Sequence, residues 1–148
     1  PAQFPHPKAI ELASGADDLL AAATVVDSLE DAIADCHWIY GTSARQRICP
    51  WPQVTVKEAI PNVMQALHNE QKVGILFGPE RTGLSNEALQ RCDFHLTIPA
   101  SSIYPSLNLA QAVQVITYEL FQATLTPEDL NLPAFGNKAT AREVEGLV

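Results

Sequence analysis

Apolar residues recur along this chain at two different spacings. Leu109, Val113, Ile116 and Leu120 fall at i, i+4, i+7 and i+11, which predicts a helix with one buried face. Ala110 and Ala112 beside them are small enough for another backbone to approach. By contrast, residues 73–77 are apolar without a break, the pattern of a parallel strand covered on both faces. Residues 37–40 read as a second strand ended by Gly41, residues 94–98 as a third, and residues 23–26 as a brief fourth. Helices are predicted at 8–13, ended by Gly15, and at 29–36, behind a capping-box pattern of Ser28 with Asp31 in the usual Glu place. Thr55 and Glu58 form a second such box. Pro61 follows where the helix interior should be, so a kink or two short helices is expected, with Val63, Met64 and Leu67 facing inward in the second. Ser85 should cap a helix at 86–91, and Ser106 the helix that carries Leu109. Strands separated by helices imply an α/β fold, a mainly parallel sheet with helices on both faces.

A length of 148 residues, 47% of them hydrophobic, fits one principal domain. From Pro127 the sequence P-E-D-L-N-L-P-A-F-G-N-K loses its periodicity, so residues 1–126 are expected to form the domain and 127–148 a linker with the start of a helical extension. No apolar run reaches membrane-spanning length. Cys36, Cys49 and Cys92 show no C-x-x-C spacing, which suits a reducing cytoplasm, and the four histidines are scattered, so no metal site is expected. A net charge of −8 argues against nucleic-acid binding by bulk electrostatics. Arg45, Arg47 and Arg81 nevertheless fall in the loops considered next, which leaves room for a local basic patch on an acidic body.

Three loops follow three of the predicted strands: G-T-S-A-R from Gly41, G-P-E-R-T-G from Gly78, and residues 99–106, pinned by Pro99 and Pro105. Ligands of open α/β sheets bind beyond the carboxyl ends of the strands, so the three loops are expected to meet in one pocket. The plainer alternative is that Gly41 and Gly78 only end strands. The second loop imitates the glycine spacing of a phosphate loop, but Leu84 stands where its lysine is required, which excludes that chemistry. Ser43 or Ser106 as a nucleophile needs a histidine base that nothing in the sequence nominates, so a cap or loop hydrogen bond is the simpler role for each. Trp51 and Tyr104 have two readings, stacking on a base or packing under a loop. Glu80 and Arg81 also have two, an ion pair or a contact with substrate.

Residues 76–87, L-F-G-P-E-R-T-G-L-S-N-E, and 98–113, I-P-A-S-S-I-Y-P-S-L-N-L-A-Q-A-V, resemble the second and third motifs of the SpoU branch of the SPOUT methyltransferases. With G-T-S-A-R and the P-W-P of residues 50–52, they are most similar to the bacterial tRNA cytidine/uridine 2′-O-methyltransferases of the anticodon loop. The resemblance implies a trefoil-knotted domain, a cytoplasmic homodimer, RNA as partner, in particular tRNA, and S-adenosylmethionine as cofactor, released as S-adenosylhomocysteine. Matched residue by residue, it places Thr42, Ser43, Ala44, Gly78, Ile98, Pro105, Ser106 and Leu107 around the cofactor. Ser106, Asn108 and Arg47 become the candidates for catalysis. The chemistry implied is alignment of a ribose 2′-hydroxyl for in-line attack on an activated methyl group. The family's first motif, N-x-G-x-x-A-R, and its first strand should lie upstream of Pro1, so this chain, if complete, is expected to bind cofactor poorly and transfer slowly or not at all, and if it is part of a longer protein the parent is expected to be the enzyme. The alternative reading is a knotted module that binds cofactor or RNA without catalysis.

Overall fold

The computed structural model describes residues 4–44, 51–126, 128–130, 139–142 and 146. Strands β1 (Trp38–Thr42), β2 (Gln53–Thr55), β3 (Val73–Leu76) and β4 (Phe94–Thr97) form one parallel sheet in the order β2-β4-β1-β3. Tyr40 stands opposite Ile75 on one side and Phe94 on the other, and Leu96 stands opposite Thr42 and Val54. Side chains alternate across a strand, so these residues share one face. Helices α4 (Val56–His68) and α6 (Leu109–Thr124) cover that face. Val56, Ala59, Val63 and Ile116 close a buried core with Tyr40 and Leu96. The other face is built differently. Gly41 has no side chain, and a Cβ there would lie 2.5 Å from the sulfur of Cys92, so helix α5 (Asn86–Gln90) and its following turn sit directly on the strand. Gly41 therefore does not end β1, which runs on to Thr42, but admits this close packing from within the strand. Burial, with Asp93 beside it, pushes the Cys92 thiol up to about 11, so at neutral pH it is a protonated packing group.

The first strand is fixed at its start by side chains. Asp93 accepts a hydrogen bond from the Ile39 amide at 2.7 Å and returns its own amide to the Ile39 carbonyl at 2.8 Å, which lengthens the β1–β4 ladder by one rung. His37 accepts from the Lys72 amide at 3.1 Å, and the Trp38 indole donates to Gln71 at 3.0 Å. The upstream helices α1 (Pro7–Leu12), α2 (Asp17–Ala22) and α3 (Leu29–Ile33) bury none of their residues.

Several expectations change. Residues 23–26 are not a strand; among the described residues no strand pairs with them, and Val25 is exposed. Strand β2, unforeseen, is three residues immediately before α4. Helix α3 is shorter than expected. Ser28 accepts from the Asp31 amide at 3.1 Å but gives its hydroxyl to the Asp31 carboxylate at 2.7 Å, so the reciprocal half of the box is not made. Helix α4 runs through Pro61 as one element with both halves of the Thr55–Glu58 box in place. Pro61 lies on the exposed side of the helix. The buried face of α4 is Val56, Ala59, Val63 and Ala66, while Leu67 is 49% exposed. Of the expected linker and extension, residues 127, 131–138, 143–145, 147 and 148 lie outside the described residues.

Ile116 is 1% exposed and stands where α6 meets α4 and the sheet. Ile116→Ala is expected to lower unfolding free energy by roughly 2–5 kcal/mol, read as an earlier urea midpoint at unchanged slope.

Candidate functional site

All four strands run the same way, so their carboxyl ends lie along one edge of the sheet. There the central strand ties its neighbours together. The Thr42 hydroxyl donates to the Leu76 carbonyl at the end of β3, 2.8 Å, and the Ser43 amide donates to the Leu96 carbonyl of β4, 3.1 Å. The first loop is thus anchored to both flanking strands. Thr42 commits its side chain to this bond.

The second loop closes on itself. The Gly83 amide donates to the Pro79 carbonyl at 2.9 Å, and Gly83 takes φ +67°, a conformation that favours glycine. Gly78 is required for a different reason, because a Cβ on it would lie 2.0 Å from the Gly83 carbonyl carbon and 2.1 Å from the Leu84 nitrogen. The loop's return limb therefore runs against the bare Cα of Gly78. Leu84, which excluded the phosphate-loop reading, is buried beneath it.

The third loop leads into α6 through Asn108, not Ser106. The Asn108 side-chain oxygen accepts from the Gln111 amide at 2.8 Å, and Gln111 reaches back to the Asn108 amide at 3.4 Å, a complete capping box. Gln111 stands three positions after Asn108, where Ser106 has Leu109. Ser106 is left exposed at the pocket edge and makes no hydrogen bond to the described residues.

These loops enclose a cavity of about 340 Å³. It is lined by Thr42, Ser43, Ala44, Gly78, Ile98, Pro105, Ser106 and Leu107, so all eight residues named for the cofactor from sequence come together. Asn108 is not in the lining; it sits one residue behind, as the helix cap. Arg47, like Arg45, lies outside the described residues. The lining also includes Glu80 and Arg81, for which substrate contact was one of two readings, and Phe77, Leu96, Leu109 and Ala112, which sequence reasoning did not assign to a ligand. Ala112 carried a signal, its small size at a close approach, whereas Ala110 faces solvent. Glu80 and Arg81 form no ion pair with each other. Glu80 instead accepts the Leu109 amide, and among the described residues Arg81 has no salt-bridge partner, while Lys72 pairs with Asp35 and Arg91 with Glu30. Trp51 and Tyr104 part company: Trp51 stacks at 5.8 Å on the buried ring of His95, and Tyr104 is 79% exposed. Among the described residues, no three His, Cys, Asp or Glu gather as a metal site, and no helix is long and apolar enough to cross a membrane.

A family model described as the SpoU rRNA Methylase family matches residues 1–118. The chain belongs to that family. It is 46% identical over 137 residues to a tRNA (cytidine/uridine-2′-O-)-methyltransferase TrmJ of Cronobacter sakazakii, covering 92% of this chain and 55% of that protein. To the tRNA (cytidine/uridine/adenosine-2′-O-)-methyltransferase TrmJ of Pseudomonas aeruginosa it is 48% identical over 128 residues, covering 86% of this chain and 50% of the other. The crystal structure of TrmJ from Z. mobilis superposes with a TM-score of 0.74 at 34% identity, covering 98% of this chain and 59% of that one. The chain spans about half the length of the curated relatives it matches. Within the SpoU methylase frame, the three loops that carry the motif resemblance are the ones that wall the cavity.

Gly78→Ala is expected to push the Gly83–Leu84 peptide off the strand end and collapse or open the cavity, because backbone stands 2.0–2.1 Å from the added carbon. Crosspeaks of Gly83 and Leu84 in an amide NMR spectrum should move furthest, with those of Val56–His68 in place; an unshifted loop would refute this account of Gly78.

Proposed function

We propose that the chain is the cofactor-holding part of an RNA 2′-O-methyltransferase, with S-adenosylmethionine in the cavity and tRNA as the methyl acceptor. The observation that carries this reading is the convergence of Thr42–Ala44, Gly78 and Pro105–Leu107 on one cavity, in a chain whose family is one of methylases. The residues present suit the cofactor. Leu96, Ile98, Leu107 and Leu109 supply apolar lining suited to a flat base, and Ser43, Arg81 and Thr82 supply polar lining for the remaining groups. When bound, S-adenosylmethionine supplies a methyl group already activated on a sulfonium. What remains for the chain is placement.

The strand ends hold the loop backbones rigidly, so binding loses little entropy in ordering them. Ser106, with its hydroxyl uncommitted to the described residues, is the group at the cavity edge able to hydrogen-bond an incoming ribose. This chain's share of the chemistry would be to hold the ribose 2′-hydroxyl in line with that methyl group while the hydroxyl proton passes to an acceptor or to water. Arg81, unpaired among the described residues, is suited to a phosphate, which orients RNA without reading its sequence. Residues 1–126 carry this unit in our reading, knotted as the resemblance implies, and 127–148 extend from it. The same reading includes a homodimer. In its support, Tyr118 and Phe121 on the solvent side of α6 are 53% and 60% exposed, an apolar strip suited to a second copy.

Incubation with labelled S-adenosylmethionine and unmodified tRNA, followed by digestion to nucleosides, is expected to place label on a ribose. Binding of cofactor in a calorimeter with no transfer would favour the non-catalytic module, and no binding would reject the cavity as its site. Ser106→Ala is expected to lower transfer about tenfold with little change in cofactor affinity. Arg81→Ala should raise KM for tRNA by about three- to tenfold while leaving cofactor affinity unaltered.

A further inference from the structure

We infer that Glu80 is a positioning residue, a clip that fixes the distance between the second and third walls of the cavity. Both of its carboxylate oxygens face one amide, that of Leu109, at 3.0 and 3.1 Å. Leu109 is the first residue of α6, and both Glu80 and Leu109 line the cavity. At the start of a helix the first amides have no partner within the helix. Here those of Asn108 and Gln111 are satisfied locally by the capping box, whereas that of Leu109 is taken by a residue 29 positions upstream.

The Leu109 amide is exposed, so water is able to satisfy it; what the carboxylate adds is location. The two parts it joins are each stiff. Loop 78–84 is closed by the Gly83–Pro79 hydrogen bond and pressed on Gly78, and α6 is a helix of 16 residues anchored in the core by Ile116. A stiff loop and a stiff helix joined by one short charged contact hold a fixed separation. A carboxylate suits the place because it is drawn to the positive end of the helix and accepts more strongly than a neutral group. Arg81, next in sequence, stays out of this contact, so the loop turns its anion toward the helix and leaves its cation at the rim.

The cofactor arm of the test rests on the function proposed above; the exchange arm does not. In the whole chain, Glu80→Ala is expected to speed hydrogen exchange of the Leu109 amide by about tenfold or more, with the Ile116 amide unchanged, and to weaken S-adenosylmethionine binding by about tenfold. Glu80→Gln keeps one side-chain acceptor and should fall between. Leu109→Pro provides a check from the other partner. Proline is accepted at the first helical position, and Asn108 before it is already extended at φ −65°, ψ 158°, so the donor is removed without breaking the helix. In the Leu109→Pro background, Glu80→Ala should cost no further affinity, because the two changes delete the same contact. Unchanged Leu109 exchange in Glu80→Ala, or fully additive losses in the double variant, overturns the clip. Faster exchange in a protein whose parent binds no S-adenosylmethionine upholds the clip and rejects the proposed ligand.

Discussion

At the end of the central strand, Thr42 donates its hydroxyl to the Leu76 carbonyl and Ser43 its amide to that of Leu96, so three strand ends are locked side by side. A carbonyl at the end of a strand has lost its ladder partner and would otherwise face the cavity unpaired. Here the first loop satisfies two of them and is itself oriented by doing so. Everything that lines the cavity is referred to that edge. The second loop departs from β3, the third from β4, and α6 returns over the same sheet to close the opposite wall.

The two faces of the sheet do different work. Tyr40, Leu96, Val56, Ala59, Val63 and Ile116 make the apolar face a solid core between sheet and helices. On the reverse, Gly41 admits Cys92, Leu84 and Leu89 to near contact with the backbone, which seats α5 and hence the return limb of the second loop. An acidic chain with a net charge of −8 gives nucleic acid no general attraction, so the RNA contact proposed above would depend on few cations in the right place.

Much of the architecture is legible because burial writes a period into the sequence. The unbroken run at 73–77 and the face from Leu109 to Leu120 correspond to β3 and α6. The misses have local causes. Val25 and Val26 have the composition of a strand, but a strand needs a partner. Pro61 reads as a breaker, although on the solvent side of α4 its missing bond costs little. Ser106 and Asn108 are both able caps, and Gln111 decides between them. The cavity loops are legible because spacing nominates three glycine or proline turns after strands and an open α/β sheet gathers such turns at one edge, while the motif resemblance says what they gather around. Glu80 leaves no trace in the sequence: a contact across 29 residues has no period to betray it.

The close approach at Gly78 means that one wall of the cavity is shaped by main chain, where the Gly83–Leu84 peptide stands, more than by any side chain. Ordinary drift in the neighbouring residues alters the surface of such a wall but not its position. A pocket of this construction should keep the same guest through long divergence, and a change of guest would demand insertion or deletion in the loop in place of substitution.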